Sequence, residues 1–146
     1  MSTEDNKGLV RRFVEEAQTR GNLAAIDEYL APDFVDHSAP PGLPSDREGV
    51  RMLFGALRAA FPDLRAEIHD QVAEDDRVVT RKTLRDTHRG DFLGITPTGR
   101  PAALAVIDIL RVRDGRITEH WNVVDLAGLF AQLGAAPALP PEPQPA

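Results

Sequence analysis

The nine residues Ile117 to Asp125, ITEHWNVVD, bring a glutamate, a histidine, the chain's only tryptophan, an asparagine and an aspartate into one stretch that alternates like a β-strand. A strand that only fills a core needs none of these polar groups. Asp125 has the chemistry of a general acid/base, and Trp121 has the chemistry of a flat apolar wall. Such a wall raises a neighbouring carboxyl's pKa toward neutrality, which proton transfer requires. Asp125 is equally open to a structural role, because aspartate is a good N-cap for a helix expected to begin at Leu126. His120 and Asn122 fall on the opposite face of the strand, where an exposed or subunit-contact role is expected.

Other residues could complete a site. Asp108 is the one carboxylate in Ala102 to Leu110, AALAVIDIL, a segment apolar on both faces. Buried, it must find a donor or shift its pKa upward. A paired structural aspartate at a rim or subunit interface is the expectation. His37 follows a short extended piece and precedes the loop SAPPGLP, so it could sit at a pocket mouth or simply on the surface. Arg81 and His88 lie within VVTRKTLRDTHRG, where Arg81 could hold an oxyanion or lie on a solvated face.

The register of the last hairpin decides which groups meet. Asp114-Gly115 is a strong hairpin signal. A two-residue turn pairs Arg113 with Arg116 and puts Asp108 opposite Trp121. A three-residue turn with a bulge at Gly115 pairs Val112 with Arg116. The second groups Ile107, Ile109 and Arg111 with Ile117, Trp121, Val123 and Asp125, and is preferred because it collects more apolar residues on one face. Arg111 then becomes the partner of Asp125 or of a substrate oxygen.

Composition narrows the chemistry. The 146 residues, 42% apolar and 27% charged, suit one soluble domain. A net charge of −6 with no basic patch argues against nucleic acid. No apolar run nears the ~20 residues of a membrane helix, and the start MSTEDNKG lacks the apolar centre of a signal peptide. With no cysteine there is neither disulfide nor thiol catalysis, and a cytoplasmic location is expected. His37, His69, His88 and His120 show no paired ligand spacing such as H-x-x-x-H, so no metal is expected.

These groups must be held by a definite order of elements. Helical spacing runs over Thr3 to Arg20, with Gly21 past its end. Asn22 can cap a second helix, Leu23 to Leu30, stopped by Pro32. Ser45 and Glu48 form a capping box for a third, striped by Val50, Leu53, Phe54, Leu57 and Phe61. The period then changes to two, predicting strands at Leu64 to Ala73, Arg77 to His88, Ala102 to Val112 and Arg116 to Val124. A short helix, Leu126 to Leu133, ends at Gly134, and the proline-rich residues 136–146 are expected to be a disordered tail. Helices first and an antiparallel sheet second argue an α+β fold, with amphipathic helices burying one side against the sheet. A bent sheet around such helices makes a cone whose mouth can take a small molecule. The apolar strand Ala102 to Leu110 leaves an outer face to cover, so a homodimer or homotetramer is expected.

The pieces APDFVDH, AFPDL, DRVVTRKTLRDTHRG, DFLGITPTGR, IDILRVRDGRITEHWNVVD and AGLFAQLG occur in the order of the signature pieces of the SnoaL-like polyketide cyclases, also called ester cyclases. The chain resembles that family from about Gly8 to Gly134. The resemblance implies the cone-shaped α+β barrel shared with nuclear transport factor two, scytalone dehydratase and ketosteroid isomerase. It implies cofactor-independent general acid/base catalysis of an intramolecular aldol ring closure on a polyketide or polycyclic aromatic molecule. Asp125 takes the place of the family's catalytic aspartate. Arg111 stands where the family has a histidine, and an arginine there would lower the pKa of Asp125. Asp86 stands where a glycine usually precedes the THxG turn. In the resulting scheme Trp121, Phe54 and Phe61 pack on the substrate, and Arg111, Arg81 or His88 steadies the enolate oxygen, with His37 at the mouth. Two alternatives stay open: hydroxylation or epoxide opening on the same scaffold, the latter needing Asp108 to face Asp125, and a non-catalytic binding or dimerisation module.

Overall fold

Ser2 opens the first helix through a reciprocal capping box with Asp5, satisfying amides that the helix itself leaves free. The structure, a computed structural model, describes residues 2–135. The expected tail at 136–146 lies outside them. The elements run α1 (Thr3–Phe13), a π-helix (Val14–Thr19), α2 (Ala24–Tyr29), β1 (Leu30–Asp36), α3 (Arg47–Ala60), β2 (Arg65–Glu74), β3 (Arg77–Thr87), β4 (Pro101–Arg113), β5 (Arg116–Val124) and α4 (Leu126–Leu133). No helix among the described residues is long and apolar enough to cross a membrane.

The four long strands agree with the period-two segments to within a residue or two, and Gly134 ends α4 at φ 74° in the left-handed region glycine favours. Two caps differ from expectation. α2 is shorter than Leu23 to Leu30 and has no side-chain cap; the Asn22 carbonyl, not its amide group, accepts from Ala25 N–H. α3 is capped by Asp46, whose carboxylate accepts from Gly49 N–H at 3.1 Å. The Ser45 carbonyl is instead taken by Asp36 N–H at 2.8 Å, which ties the loop after β1 to the start of α3. Gly49 is required there, because a Cβ would lie 1.8 Å from the Pro44 carbonyl oxygen.

The five strands form one mixed sheet in the order β1-β5-β4-β3-β2, with only β1 and β5 parallel. It is open rather than closed into a barrel, since β1 and β2 are its two edges. Burial alternates along β4: Ala102, Leu104, Val106, Asp108, Leu110 and Val112 are buried, whereas Ala105 and Ile107 are exposed. The buried residues define an inner face on which the helices pack. Two apolar clusters occupy it. One joins α1, α2 and the π-helix to Val78, Leu110, Val112 and Ile117. The other joins Phe61, Leu64, Leu129 and Leu133 to Leu84, Leu104 and Val106. Each fully buried large side chain, such as Ile26 or Phe61, stabilises the fold by roughly 1.5–3 kcal/mol.

The hairpin corrects the preferred register. Asp114 and Gly115 have φ 51° and 74°, and Arg113 pairs directly with Arg116, so the turn is the two-residue one. A bulge then absorbs Thr118: Val112 pairs with Ile117 and Arg111 with Glu119. From there Ile109 faces Trp121 and Ile107 faces Val123, the grouping expected, reached by another route. Ile117 does not belong to that group. It is buried opposite Val112 on the inner face. The face holding Trp121 is the outer one.

Candidate active site

Between the two apolar clusters, each central strand places polar side chains on the inner face. In β3 they are Thr80 and Lys82, between Val78 and Leu84. In β4 the intruder is Asp108, between Val106 and Leu110. In β5 they are His120 and Asn122, opposite Leu110 and Asp108. β1 adds Asp36, aligned with His120. The result is a polar belt across the middle of the sheet, with apolar residues above and below it. α3 lies across both halves, Phe54 packing on one cluster and Leu57 on the other.

Burial makes the pairing in this belt strict, because an unpaired charge away from water is costly. Lys82 and Asp108 are each 4% exposed, and Lys82 Nζ lies 2.9 Å from Asp108 Oδ2. Lys82 also donates to Gln18 Oε1 at 2.9 Å, Gln18 being carried by the π-helix. Such a helix is a local widening of the turn that occurs often at functional sites. Asp108 Oδ1 has no hydrogen-bond partner among the described residues. At the other end, His120 Nδ1 is 2.9 Å from Asp36 Oδ1, which also accepts from Ser38 N–H at 2.9 Å. Burial pushes the Asp36 carboxyl up, but the hydrogen bond and charge of His120, the Ser38 amide and His37 outweigh it and hold the group below the ordinary carboxylate range. An ionised carboxylate only accepts, so Nδ1–H of His120 donates to Asp36, and Nε2 is the ring nitrogen that this bond leaves free. The His120 side chain remains 18% exposed, giving this end of the belt access to solvent.

The residues expected to form a site are dispersed. Asp125 is exposed, and its Oδ1 accepts from Gly128 N–H at 2.9 Å as the N-cap of α4. The expectation that it looks into a hollow beside the indole is corrected: the cap accounts for its position, and it does not face Asp108. Trp121 lies on the outer face, stacked on His37 with ring centroids 4.8 Å apart. Arg111 sits 5.6 Å from the same ring and pairs with Glu119 and Asp76, not with Asp125. Arg81 is exposed on that face in a salt bridge to Asp70. Beyond the bulge at Thr118 the inward and outward sides of this stretch are therefore the reverse of those expected, because helices cover the side bearing His120, whereas Ile117 is inward as expected.

Three expected residues are inner but structural in placement. Phe54 contacts the first cluster beside Phe13, and Phe61 is 2% exposed in the second. His88 is fully buried, accepts from Thr98 N–H at Nδ1 (3.2 Å) and anchors the loop from Arg89 to Arg100 through backbone bonds to Arg100 and Gly99. Sequence reasoning missed Gln18, Asp36 and Lys82, and it placed His120 and Asn122 on the wrong side. The available signal was that oppositely charged Lys82 and Asp108 each interrupt an apolar alternation in adjacent segments.

Known proteins share this sequence and architecture. A sequence model described as SnoaL-like polyketide cyclase matches residues 8–133. Nogalonic acid methyl ester cyclase of Streptomyces nogalater is 28% identical over 118 residues, 78% of this chain and 87% of that protein. Aklanonic acid methyl ester cyclase DnrD of Streptomyces peucetius is 29% identical over 140 residues, 92% of each. Among solved structures, IdmH of Streptomyces antibioticus, a proposed polyketide cyclase, is 39% identical with a TM-score of 0.79, covering 89% of this chain and 99% of its own. AclR of Streptomyces galilaeus, a proposed hydroxylase, is 34% identical with a TM-score of 0.83, covering 96% of this chain and 91% of its own.

Proposed function

Because the chain belongs to the SnoaL-like polyketide cyclase family, we propose that it catalyses a cofactor-independent intramolecular aldol ring closure of a polyketide. The acid/base group in this scheme is His120, held by Asp36, and not Asp125. The observation that carries the assignment is the pairing of partly exposed His120 with buried Asp36, whose geometry leaves the imidazole Nε2 as a base at the open end of the polar belt.

The reaction needs little beyond positioning. A carbon flanked by two carbonyls is already acidic, and the carbanion formed on it is delocalised onto their oxygens. His120 Nε2 takes that proton, and Asp36 steadies the imidazolium that results. The carbanion attacks a second carbonyl of the same molecule, forming the new carbon–carbon bond. His120 then returns the proton to the new alkoxide, so the product is an isomer of the substrate. Lys82 and Asn122 supply donors for the oxygens that gain charge. The apolar residues on either side of the belt bind the hydrocarbon parts of the molecule.

Nogalonic acid methyl ester, the substrate type named for one relative, is a suitable trial compound. Wild-type protein should convert it to a product of unchanged mass. A product heavier by one oxygen would instead favour hydroxylation, the activity proposed for AclR. Replacing His120 with Ala should lower kcat by about 10²–10⁴-fold with the fold retained. Full turnover by that variant would remove His120 from the mechanism.

We also infer self-association through the outer face, where Val72, Ile107 and Val123 are 67%, 48% and 77% exposed. The homodimer or homotetramer expected for the chain would cover them, and sedimentation velocity giving only single copies at micromolar protein would remove the idea. A cytoplasmic location is consistent with a chain without cysteine.

A further inference from the structure

We propose that Lys82 and Asp108 form a two-point subsite for a hydroxy-ketone edge: an enolised 1,3-dicarbonyl, or an aromatic ring bearing adjacent hydroxyl and acyl groups. The inference rests on the proposed ring-closure activity only in placing the subsite beside His120. It stands or falls on binding.

The geometry supplies one free donor and one free acceptor side by side. An ammonium has three N–H donors. Asp108 Oδ2 and Gln18 Oε1 each lie 2.9 Å from Lys82 Nζ and take two of them. The third remains for a ligand. Asp108 Oδ2 is occupied by Lys82, while Oδ1 is buried with no partner among the described residues. A buried carboxylate oxygen without a donor is expensive, and such groups in native proteins call for an explanation. Its strand neighbours sharpen the geometry: Thr80 is aligned with Asp108 on one side and Asn122 on the other. The Thr80 hydroxyl oxygen accepts from Gln71 Nε2 at 3.2 Å, and Thr80 makes no hydrogen bond to Asp108 Oδ1.

A hydroxy-ketone edge answers both vacant valences at once. Its carbonyl oxygen accepts from Lys82, and its hydroxyl exchanges its internal bond to that carbonyl for donation to the charged Asp108 Oδ1. A simple ketone can answer only the ammonium, and a simple phenol cannot offer an acceptor and a donor on two separate oxygens. A site built to pair a hydroxyl rejects an analogue that lacks it, because its own buried group is then left unpaired. Gln18 is a positioning residue here. Its Oε1 accepts one Lys82 N–H and so helps fix the rotamer of Lys82.

Three probes read the subsite directly by isothermal calorimetry: 2-acetyl-1-naphthol, which carries the full edge, 2-acetylnaphthalene with the ketone alone, and 1-naphthol with the hydroxyl alone. Wild-type protein should bind the first about tenfold or more tightly than either of the others. The double replacement Lys82→Met with Asp108→Leu removes the pair together, a change that buried ion pairs often tolerate without loss of stability. Its melting temperature checks the fold. In that variant the three probes should bind within a factor of about two of one another. No preference in the wild type, or the same preference in a folded double variant, overturns the subsite. His120→Ala should keep the preference whether or not turnover is lost, so failure of the ring-closure assignment and failure of the subsite give different results.

Discussion

The two faces of the sheet each depart from the usual arrangement at their centre. The inner face, under helices, carries Lys82, Asp108, His120 and Asn122 across its centre. The outer face, open to solvent, carries Ile107 and Val123 among its exposed residues. Both also hold ion pairs, but of different worth. Arg81–Asp70 on the outside has side chains more than half exposed, and pairs of that kind contribute about 0–1 kcal/mol. Lys82–Asp108 on the inside is nearly dry, so neither partner can be lost cheaply. Polarity within a core that could have been filled with leucine is why the proposed chemistry is put on the inner side, and exposed apolar residues are why the proposed self-association is put on the outer one.

The comparison can be broken most forcefully at Lys82. Lys82→Ala strands Asp108 in the interior and should destabilise the fold by about 3–5 kcal/mol in denaturant titration, whereas Arg81→Ala should change it by less than about 1 kcal/mol. Equal effects would mean that the inner pair is not dry. A smaller change is expected at the helix cap: Asp125→Ala should cost about 1 kcal/mol by the same titration, with kcat on the trial compound unchanged. A large loss of kcat in that variant with normal stability would return the acid/base role to Asp125.

The smallest test lies where the faces meet the sheet's end. Burial, with the nearby Asp63 charge adding to it, pushes the Asp86 carboxyl up to about 7. An acid whose folded pKa is raised makes the folded state bind more protons, so stability should fall as pH rises from its ordinary value of 3.8 to about 7 and then level off. Asp86→Asn should flatten that part of a melting-temperature profile. An unchanged profile would show that Asp86 titrates as an ordinary surface acid.

Much of the fold was legible because its signals are long. Ten or so residues of alternation fix β2 to β5 within a residue or two, and Asp114-Gly115 fixes their last turn. The site was less legible for two physical reasons. Ala102 to Leu110 is apolar at both odd and even positions, so alternation cannot say which side the helices cover. The bulge at Thr118 has no glycine to announce it, and it alone decides whether Trp121 or Asn122 meets Asp108. Asp125 was misleading because a cap and a catalytic acid call for the same residue type. His120 was expected to be exposed because it falls on the face opposite Trp121, the face that the apolar grouping assigned to the outside.

The extra residue at Thr118 also sets where this chain can change length. Removing it would straighten β5 and leave Glu119 still across from Arg111, so every side chain beyond would keep its side. A gap one residue wide anywhere from His120 to Val124 has no such slack. It would carry part of the inner lining to the outside, or bring the outside in. Relatives of differing length at this hairpin should therefore be aligned with their gap at Thr118, where evolution can add or drop a residue without rewriting the interior.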